Sequence, residues 1–406
     1  MLSRPEFPKQ KPVMVINDIP VKKEAELGET FSAISNLNFL SSLRTGRVHR
    51  GVESPKSFVG IVSTKIYTTY LDTLPFTEGN FDFKTDFCKR KDLQVMVRDN
   101  EEYFVKKEVF PQTETHIIKE ICFVQLPHQK DTWISVRLWG ELCKLLQEIQ
   151  TVKPKLIITT GKWTTFLLCG VSSVAENMPS GGKLKPLGCI SKFRSSVMQL
   201  AECWGISDTI VVPVIHPVHA YSMPDKVPVM EADLQKVGWM YEVLQTQPVD
   251  YFSQPKKEFL IGTDVETIHN YLNILQEVLD KEPTKVTIDI ETRFHSTIDC
   301  IGLTHATNTG LCIPFMCIED PTPWSIEEEI DIMLHLFKLL KHPNARWVLQ
   351  NGSYDISYIW ELWKLDFPIA EDTMVKAHCL FNYLPKDLAF LASIYCDSYV
   401  FWKDEI

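Results

Sequence analysis

Short apolar runs alternate with helically spaced ones over the first 246 residues. KPVMVIND (11–18) and VGIVSTKIYTTYL (59–71) read as strands, and WISVRLWGELCKLLQEIQ (133–150) has the apolar spacing of a helix. PKLIITTG (154–161) and TIVVPVIHP (209–217) read as buried strands, ending at Gly161 and Pro217. EADLQKVGWMYEVLQT (231–246) closes this part as an amphipathic helix. Strand–helix alternation of this kind predicts a parallel sheet in a three-layer α/β sandwich.

Residues 247–258, QPVDYFSQPKKE, carry two prolines and no clean period, and read as a linker. Beyond it, TDVETIHNYLNILQEVL (263–279) predicts a helix with Thr263 as its N-cap candidate. KVTIDIET (285–292) reads as a strand, and CIGLTHATNTGLCIPF (300–315) as two strands joined by the turn at 306–310. Ser325 and Glu328 form a capping box that opens a helix through Lys341. ARWVLQN (345–351) is then a strand, followed by helical SYDISYIWELW. Three sheet-forming runs, a helix and another strand resemble the ribonuclease-H-like order. The expected domains are therefore 1–246, a linker at 247–258, and 259–406.

A chain of 406 residues that is 45% hydrophobic can bury at least two cores. No apolar stretch approaches the roughly 18 residues that mark a membrane span, and no signal-peptide core is visible. The expectation is a cytoplasmic protein with no membrane partner. Eleven cysteines without a Cys-x-x-Cys pair read as buried thiols. The net charge of -10 divides unevenly. Residues 259–406 hold 10 Lys+Arg against 23 Asp+Glu, a balance of -13, and residues 1–258 hold 32 against 29, a balance of +3. The acidic half cannot attract nucleic acid by bulk field, and needs divalent metal, a basic partner, or both. Glu327–Glu329 reads as solvated acidic surface.

Strand alternation puts Asp289 and Glu291 on one face, about 6.6 Å apart along the backbone. Two carboxylates there can hold hard divalent cations through oxygen. Asp355 opens the helix after a neighbouring strand, where Asn351 is placed to hold the loop or the substrate. Two cations roughly 3.5–4 Å apart would activate a water and stabilise the leaving 3′ oxygen in phosphodiester hydrolysis.

These residues carry a resemblance. Residues 259–406 resemble the 3′–5′ proofreading domain of family A DNA polymerases, bacteriophage ones especially. Asp-Ile-Glu-Thr matches the first exonuclease motif at Asp289, Glu291 and Thr292, and Asn-Gly-Ser-Tyr-Asp matches the second at Asn351 and Asp355. The resemblance implies Asp289, Glu291 and Asp355 as catalytic metal ligands for Mg²⁺ or Mn²⁺, with Thr292 and Asn351 binding substrate. DTMVKAHCLFNYLPKDLAFLASIY (372–395) resembles the helical region leading to the third motif, Tyr-x-x-x-Asp. Tyr395 and Tyr399 are followed four residues on by Tyr399 and Lys403, so that motif and the fourth acid are expected from a second polypeptide.

Residues 11–246 resemble the uracil-DNA glycosylase superfamily. Asn17-Asp18-Ile19-Pro20-Val21 occupies the place of its first motif, Gly28-Glu29-Thr30-Phe31 that of Gly-x-Pro-Phe, and Ile215-His216-Pro217-Val218 that of His-Pro-Ser. The resemblance implies Asp18 as the water-positioning acid, Phe31 as the ring stacked on a flipped base, and His216 as the donor facing the departing anion. Val21, Asn17 and Val218 depart from the motifs, KIYTTYL contains no uracil-reading Asn, and the iron–sulfur cysteines are missing.

Fold and function follow as expectations: an α/β chain, with a three-layer uracil-DNA glycosylase-like sandwich and a ribonuclease-H-like exonuclease domain. The favoured function is the exonuclease-bearing, DNA-binding N-terminal component of a split phage replicative polymerase, completed by a polymerase-core polypeptide. Uracil excision with a DNA-holding appendage and a non-catalytic replication adaptor are the alternatives. The aromatic end SYVFWKDEI, with Tyr399, Phe401 and Trp402, is the expected partner surface.

Overall fold

In the computed structural model, the residues described are 11–18, 66–70, 86–129, 131–169, 193–215, 220, 223, 226–252, 258–293, 297–316 and 323–396. The chain divides into two units, residues 1–253 with 392–406, and residues 254–391.

The first unit carries strands β1 (Val13–Asn17), β2 (Ile66–Tyr70), β3 (Phe87–Lys89), β4 (Leu93–Arg98), β5 (Glu101–Lys106), β6 (Phe123–Gln125), β7 (Thr132–Ser135), β8 (Leu156–Thr159), β9 (Met198–Gln199) and β10 (Ile210–Pro213). Its longer helices are α1 (Thr115–Ile121), α2 (Val136–Val152), α3 (Lys162–Leu168) and α4 (Val227–Thr246). β2-β1-β8-β10 are parallel neighbours, and β9 closes the edge antiparallel. Every residue of β1, β8 and β10 is buried. Continuous burial is what a parallel strand covered on both faces requires, so these runs were legible without alternation.

A second sheet, β3-β7-β6-β5-β4, is antiparallel throughout and was not anticipated. It also shortens the helix expected over 133–150. Trp133 pairs with Cys88 and Gln125 across β7, and the helix starts only at Val136, with Ser135 Oγ accepting from the Leu138 N–H at 3.2 Å. Cross-strand pairing overrides the helical spacing there, whereas Leu138, Leu142, Leu145 and Ile149 keep it and are buried.

The second unit is built on one six-stranded sheet, in the order β11-β14-β13-β12-β15-β16. The strands are β11 (Glu258–Ile261), β12 (Thr284–Arg293), β13 (Thr297–Thr304), β14 (Thr309–Pro314), β15 (Ala345–Leu349) and β16 (Ile369–Asp372). The helices that follow in the chain are α5 (Val265–Lys281), α6 (Ile326–Leu340), α7 (Gly352–Trp363) and α8 (Thr373–Leu380); α9 (Leu388–Tyr395) begins in this unit, and its residues from 392 on are assigned to the first. Central β12 runs antiparallel to β13 and parallel to β15. Ile268, Leu272, Leu275 and Leu279 of α5 pack in one core with Val286, Ile288 and Ile290 of β12, Ile332, Leu336 and Leu339 of α6, and Trp347.

The capping box forms as expected, with Ser325 Oγ accepting from Glu328 N–H at 3.2 Å and Glu328 Oε2 from Ser325 N–H at 2.9 Å. The cap of α5 does not fall on Thr263. Asp264 takes it, accepting from Thr267 N–H at 2.7 Å, because its carboxylate has the reach to the third N–H of the helix. β11 and β16, the two edge strands, were not anticipated. All four residues of β11 are exposed, so it lacks the alternation by which a half-buried strand is read.

The nine described cysteines are free thiols, but only Cys88 and Cys169 are buried; Cys143, Cys203, Cys379 and Cys396 are exposed. Most therefore depart from the expected buried positions. No helix among the described residues is long and apolar enough to cross a membrane.

Candidate functional site

Alternation along β12 sends Val286, Ile288 and Ile290 into the core and leaves Asp289 and Glu291 exposed on the opposite face. Across β13, Asp289 lies opposite Gly302 and Glu291 opposite Cys300, and the register shifts between Glu291 and Thr292. Such an irregularity bends the strand and re-aims the side chains after it. Thr292 Oγ1 there shares a hydrogen bond with the Tyr354 hydroxyl of α7 at 2.5 Å.

β15 pairs with β12 only as far as Thr287. Three residues on, the Ile290 N–H donates instead to Asp355 Oδ1, at 3.0 Å. Asp355 sits in the first turn of α7 and is 3% exposed. One backbone hydrogen bond thus seats the third carboxylate at the strand residue between Asp289 and Glu291. The electrostatics agree. Burial pushes the Asp355 carboxyl up to about 6 against the Ile290 hydrogen bond, with the charges of Asp289 and Asp372 adding to it. Burial also raises Asp289, and the neighbouring Glu291 carboxylate raises it further.

Asn351 precedes α7 in the left-handed conformation, φ 61°. Its N–H and that of Gly352 donate to Asp372, at 3.3 and 2.8 Å, and Asp372 also caps α8 through Met374 N–H (2.8 Å) and Val375 N–H (3.1 Å). Burial pushes the Asp372 carboxyl up, but the four backbone donors outweigh it and hold the group below its ordinary value. A Cβ at position 352 would lie 2.8 Å from Leu349 Cβ, so the turn requires glycine. Asp372 is the residue that sequence reasoning missed as a support of the site. An acid directly before a helix was its signal.

The donor chemistry suits a hard divalent cation: besides burial, the Glu291 charge raises Asp289 and the Asp289 charge raises Asp355, a like-charge conflict that a cation would relieve. Their arrangement falls short. Among the described residues, no group of three or more His, Cys, Asp or Glu side chains converges closely enough to hold a metal ion. A Tyr-x-x-x-Asp spacing does occur nearer to Asp355 than Tyr395, at Tyr383 and Asp387. Asp387 accepts from Phe390 N–H at 2.9 Å, and its neighbour Lys386 offers its carbonyl to Gln350 Nε2 at 2.7 Å. That carboxylate is engaged as a helix cap beside the segment that precedes Asn351.

In the first unit, Asp18 follows β1 and accepts from Trp163 N–H (3.3 Å), Thr164 N–H (2.8 Å) and Thr164 Oγ1 (2.8 Å) at the start of α3. Burial raises its carboxyl in spite of these donors. A Cβ on Gly161 would collide with the Asp18 carboxyl group, so a side chain there displaces that carboxylate from the start of α3. His216 and Phe31 lie outside the described residues, as do Tyr399, Phe401 and Trp402. Of the expected residues, Asp355 is tied to β12 at Ile290, between exposed Asp289 and Glu291, Thr292 is tied to Tyr354, and Asn351 lies on the adjoining loop.

No protein-family model matches the sequence, and no curated protein matches it. Among solved structures, the fold is similar to part of the catalytic core of RRP6 from Trypanosoma brucei, at 16% identity and TM-score 0.27, over 36% of this chain and 37% of that one. It is similar to part of Escherichia coli RNase D, an exoribonuclease involved in structured RNA processing, at 17% identity and TM-score 0.26, over 37% and 36%. The EXD2 exonuclease domain soaked in Mn and GMP matches at 16% identity and TM-score 0.23, over 34% and 68%. The chain spans little more than a third of the length of the first two. Two of the three are exonucleases by name, and likenesses this slight define neither fold nor activity for this chain.

Proposed function

We propose that residues 254–391 carry a 3′–5′ exonuclease site, and that the chain is the exonuclease-bearing, DNA-binding N-terminal component of a split phage family A polymerase. The observation that carries the reading is the Ile290 N–H bond to Asp355. It joins the third carboxylate to a strand that already presents Asp289 and Glu291 on one face. Asp289, Glu291 and Asp355 would hold the cations, Mg²⁺ or Mn²⁺. When bound, two such ions polarise the attacking water and offset charge on the leaving 3′ oxygen. Thr292 and Tyr354, locked to each other beside Glu291, fix one wall against which a terminal nucleotide is held. Asn351 lies on the exposed loop that Asp372 anchors, and is the candidate to touch sugar or phosphate.

A partner polypeptide carrying the polymerase core would supply the fourth acid. The first unit is read as a uracil-DNA glycosylase-like sandwich kept for DNA binding. Its parallel sheet and the acid placed after β1 support that reading, with uracil excision through Asp18, His216 and Phe31 as the alternative.

The test is digestion of 3′-labelled single-stranded DNA and RNA with Mn²⁺, by the chain alone and with the polymerase-core product of a neighbouring gene. Slow release by the chain alone, accelerated by the partner and lost in Asp289→Asn, is expected. Rapid release by the chain alone that disappears in Asp387→Asn would place the fourth acid in this chain and overturn the split reading. No release under either condition would overturn the exonuclease itself.

A further inference from the structure

Helix α6 buries one apolar face and leaves a second one in solvent. Ile332, Leu336, Leu339 and Leu340 lie in the core, while Ile326, Ile330 and Leu334 are 74%, 54% and 63% exposed. At about 3.6 residues per turn, steps of four carry this stripe slowly round the helix. Phe337, eleven residues or three turns beyond Ile326, returns to its line. Phe337 is half-buried against Trp363 at the end of α7, with ring centroids 5.9 Å apart, so the apolar surface continues beyond the helix. A helix covering one core needs a single apolar stripe, and a second one of this length marks a docking face.

The charges beside the stripe decide what fits it. Glu327 in the first turn and Lys338 in the last are also eleven residues apart, and so share one flank of the stripe. About 16 Å of helix separates them, too far for contact with each other. Among the described residues neither makes an ion pair. Their neighbours on that side are engaged with α5: Asp331 Oδ2 lies 2.7 Å from His269 Nε2, and the Nδ1 atoms of His269 and His335 are 2.8 Å apart. An acid at one end and a base at the other, on one flank, is a pattern that complements itself when turned end for end. With a second α6 laid antiparallel about a two-fold axis level with Ile332, Ile330 meets Leu334 of the other copy and Ile326 meets Phe337. The same axis sets Glu327 against Lys338 at both ends at once. A parallel pairing would set Glu327 against Glu327.

We propose that α6 is the interface of a symmetric homodimer, in which a second copy of this chain packs its own α6 antiparallel on the first, stripe on stripe, with Glu327–Lys338 pairs closing both ends. The helix is about 22 Å long, so the stripe makes an interface below the standard size of about 800 Å² a side, and the dimer is weak and reversible. Exposed ion pairs add little affinity, and here they fix direction and register. The balance of -13 over residues 259–406 opposes association at long range, and salt screens that repulsion. The β12 carboxylates take no part. Asp289 and Glu291 stand on the opposite face of the strand from Val286, Ile288 and Ile290, which share the core with α6. The inference therefore stands apart from the exonuclease reading.

The test is sedimentation velocity of the full chain at roughly 1 to 100 µM in about 0.15 M salt. A sedimentation coefficient that climbs with concentration from monomer to dimer is expected. Leu334→Glu, at an exposed position, should remove the climb. Glu327→Lys and Lys338→Glu should each weaken association by about 3- to 10-fold, and the two combined in one chain should restore it. Carbodiimide coupling of an equal mixture of isotopically light and heavy chains reads the register without any variant. Mass spectrometry should find an amide joining Glu327 of one chain to Lys338 of the other. A chain that stays monomeric across the range, a dimer that Leu334→Glu leaves intact, a combined variant as weak as its parents, or a dimer without that cross-link would overturn the proposal.

Discussion

Asp355→Asn is expected to stabilise the metal-free protein while abolishing hydrolysis. The substitution keeps an oxygen for the Ile290 N–H and removes the charge. Burial and the neighbouring acids raise the Asp355 carboxyl from 3.8 to about 6. At 1.36 kcal/mol for each tenfold change, holding it ionised in the fold costs on the order of 3 kcal/mol. The sign follows from linkage: a carboxyl whose folded value is raised favours the folded state below its unfolded value. That contribution is lost as the pH rises through the folded value. Wild type and variant should therefore be nearly equally stable at pH 4, and the variant should gain across the window from 3.8 to about 6. By pH 8 its lead should reach about 3 kcal/mol. Urea unfolding in chelator at pH 4, 6 and 8 measures the difference, with hydrogen exchange of β12 peptides reporting the second unit by itself. Added Mn²⁺ should stabilise the wild type more than the variant, which keeps only Asp289 and Glu291 of the three carboxylates. A variant no more stable than wild type at pH 8, or a difference independent of pH, would refute the reasoning. The trade resembles other sites where function retains a group that stability would discard.

Other substitutions probe the supports. Asp372→Ala removes the acceptor for four backbone N–H groups, and should lower stability by about 1–2 kcal/mol for the lost cap alone, seen as a lower thermal midpoint. Its effect on hydrolysis should exceed its effect on folding, since the Asn351 loop loses its anchor. Asp233→Ala removes the carboxylate that faces Arg194 and Ser195 in a buried pair, and should cost about 3–5 kcal/mol in urea unfolding of the first unit. Gly161→Ala forces Asp18 away from α3 and should destabilise by about 1–3 kcal/mol, with Asp18→Asn in the same background failing to restore the loss.

Much of the second unit was legible because its signals are local. The capping box at Ser325 and Glu328, the alternation that exposes Asp289 and Glu291, and the placing of Asp355 at the start of the helix after β15 each depend on residues a few positions apart. The fully buried parallel strands of the first unit were legible for a similar reason, an unbroken apolar run. What sequence alone could not decide was pairing at a distance. The antiparallel sheet over residues 87–135 depends on which strands meet, and that contest turned Trp133 from helix to strand. Asp372 supports a loop 20 residues before it, and its role exists only because β16 lies beside β15. His269 and His335 are 66 residues apart and individually unremarked in the chain; α5 packing on α6 makes them a pair. The sequence determined which side chains stand on which face of each element, because backbone geometry repeats every two or 3.6 residues. The tertiary structure decided which faces confront one another, because that depends on the competition among long-range contacts.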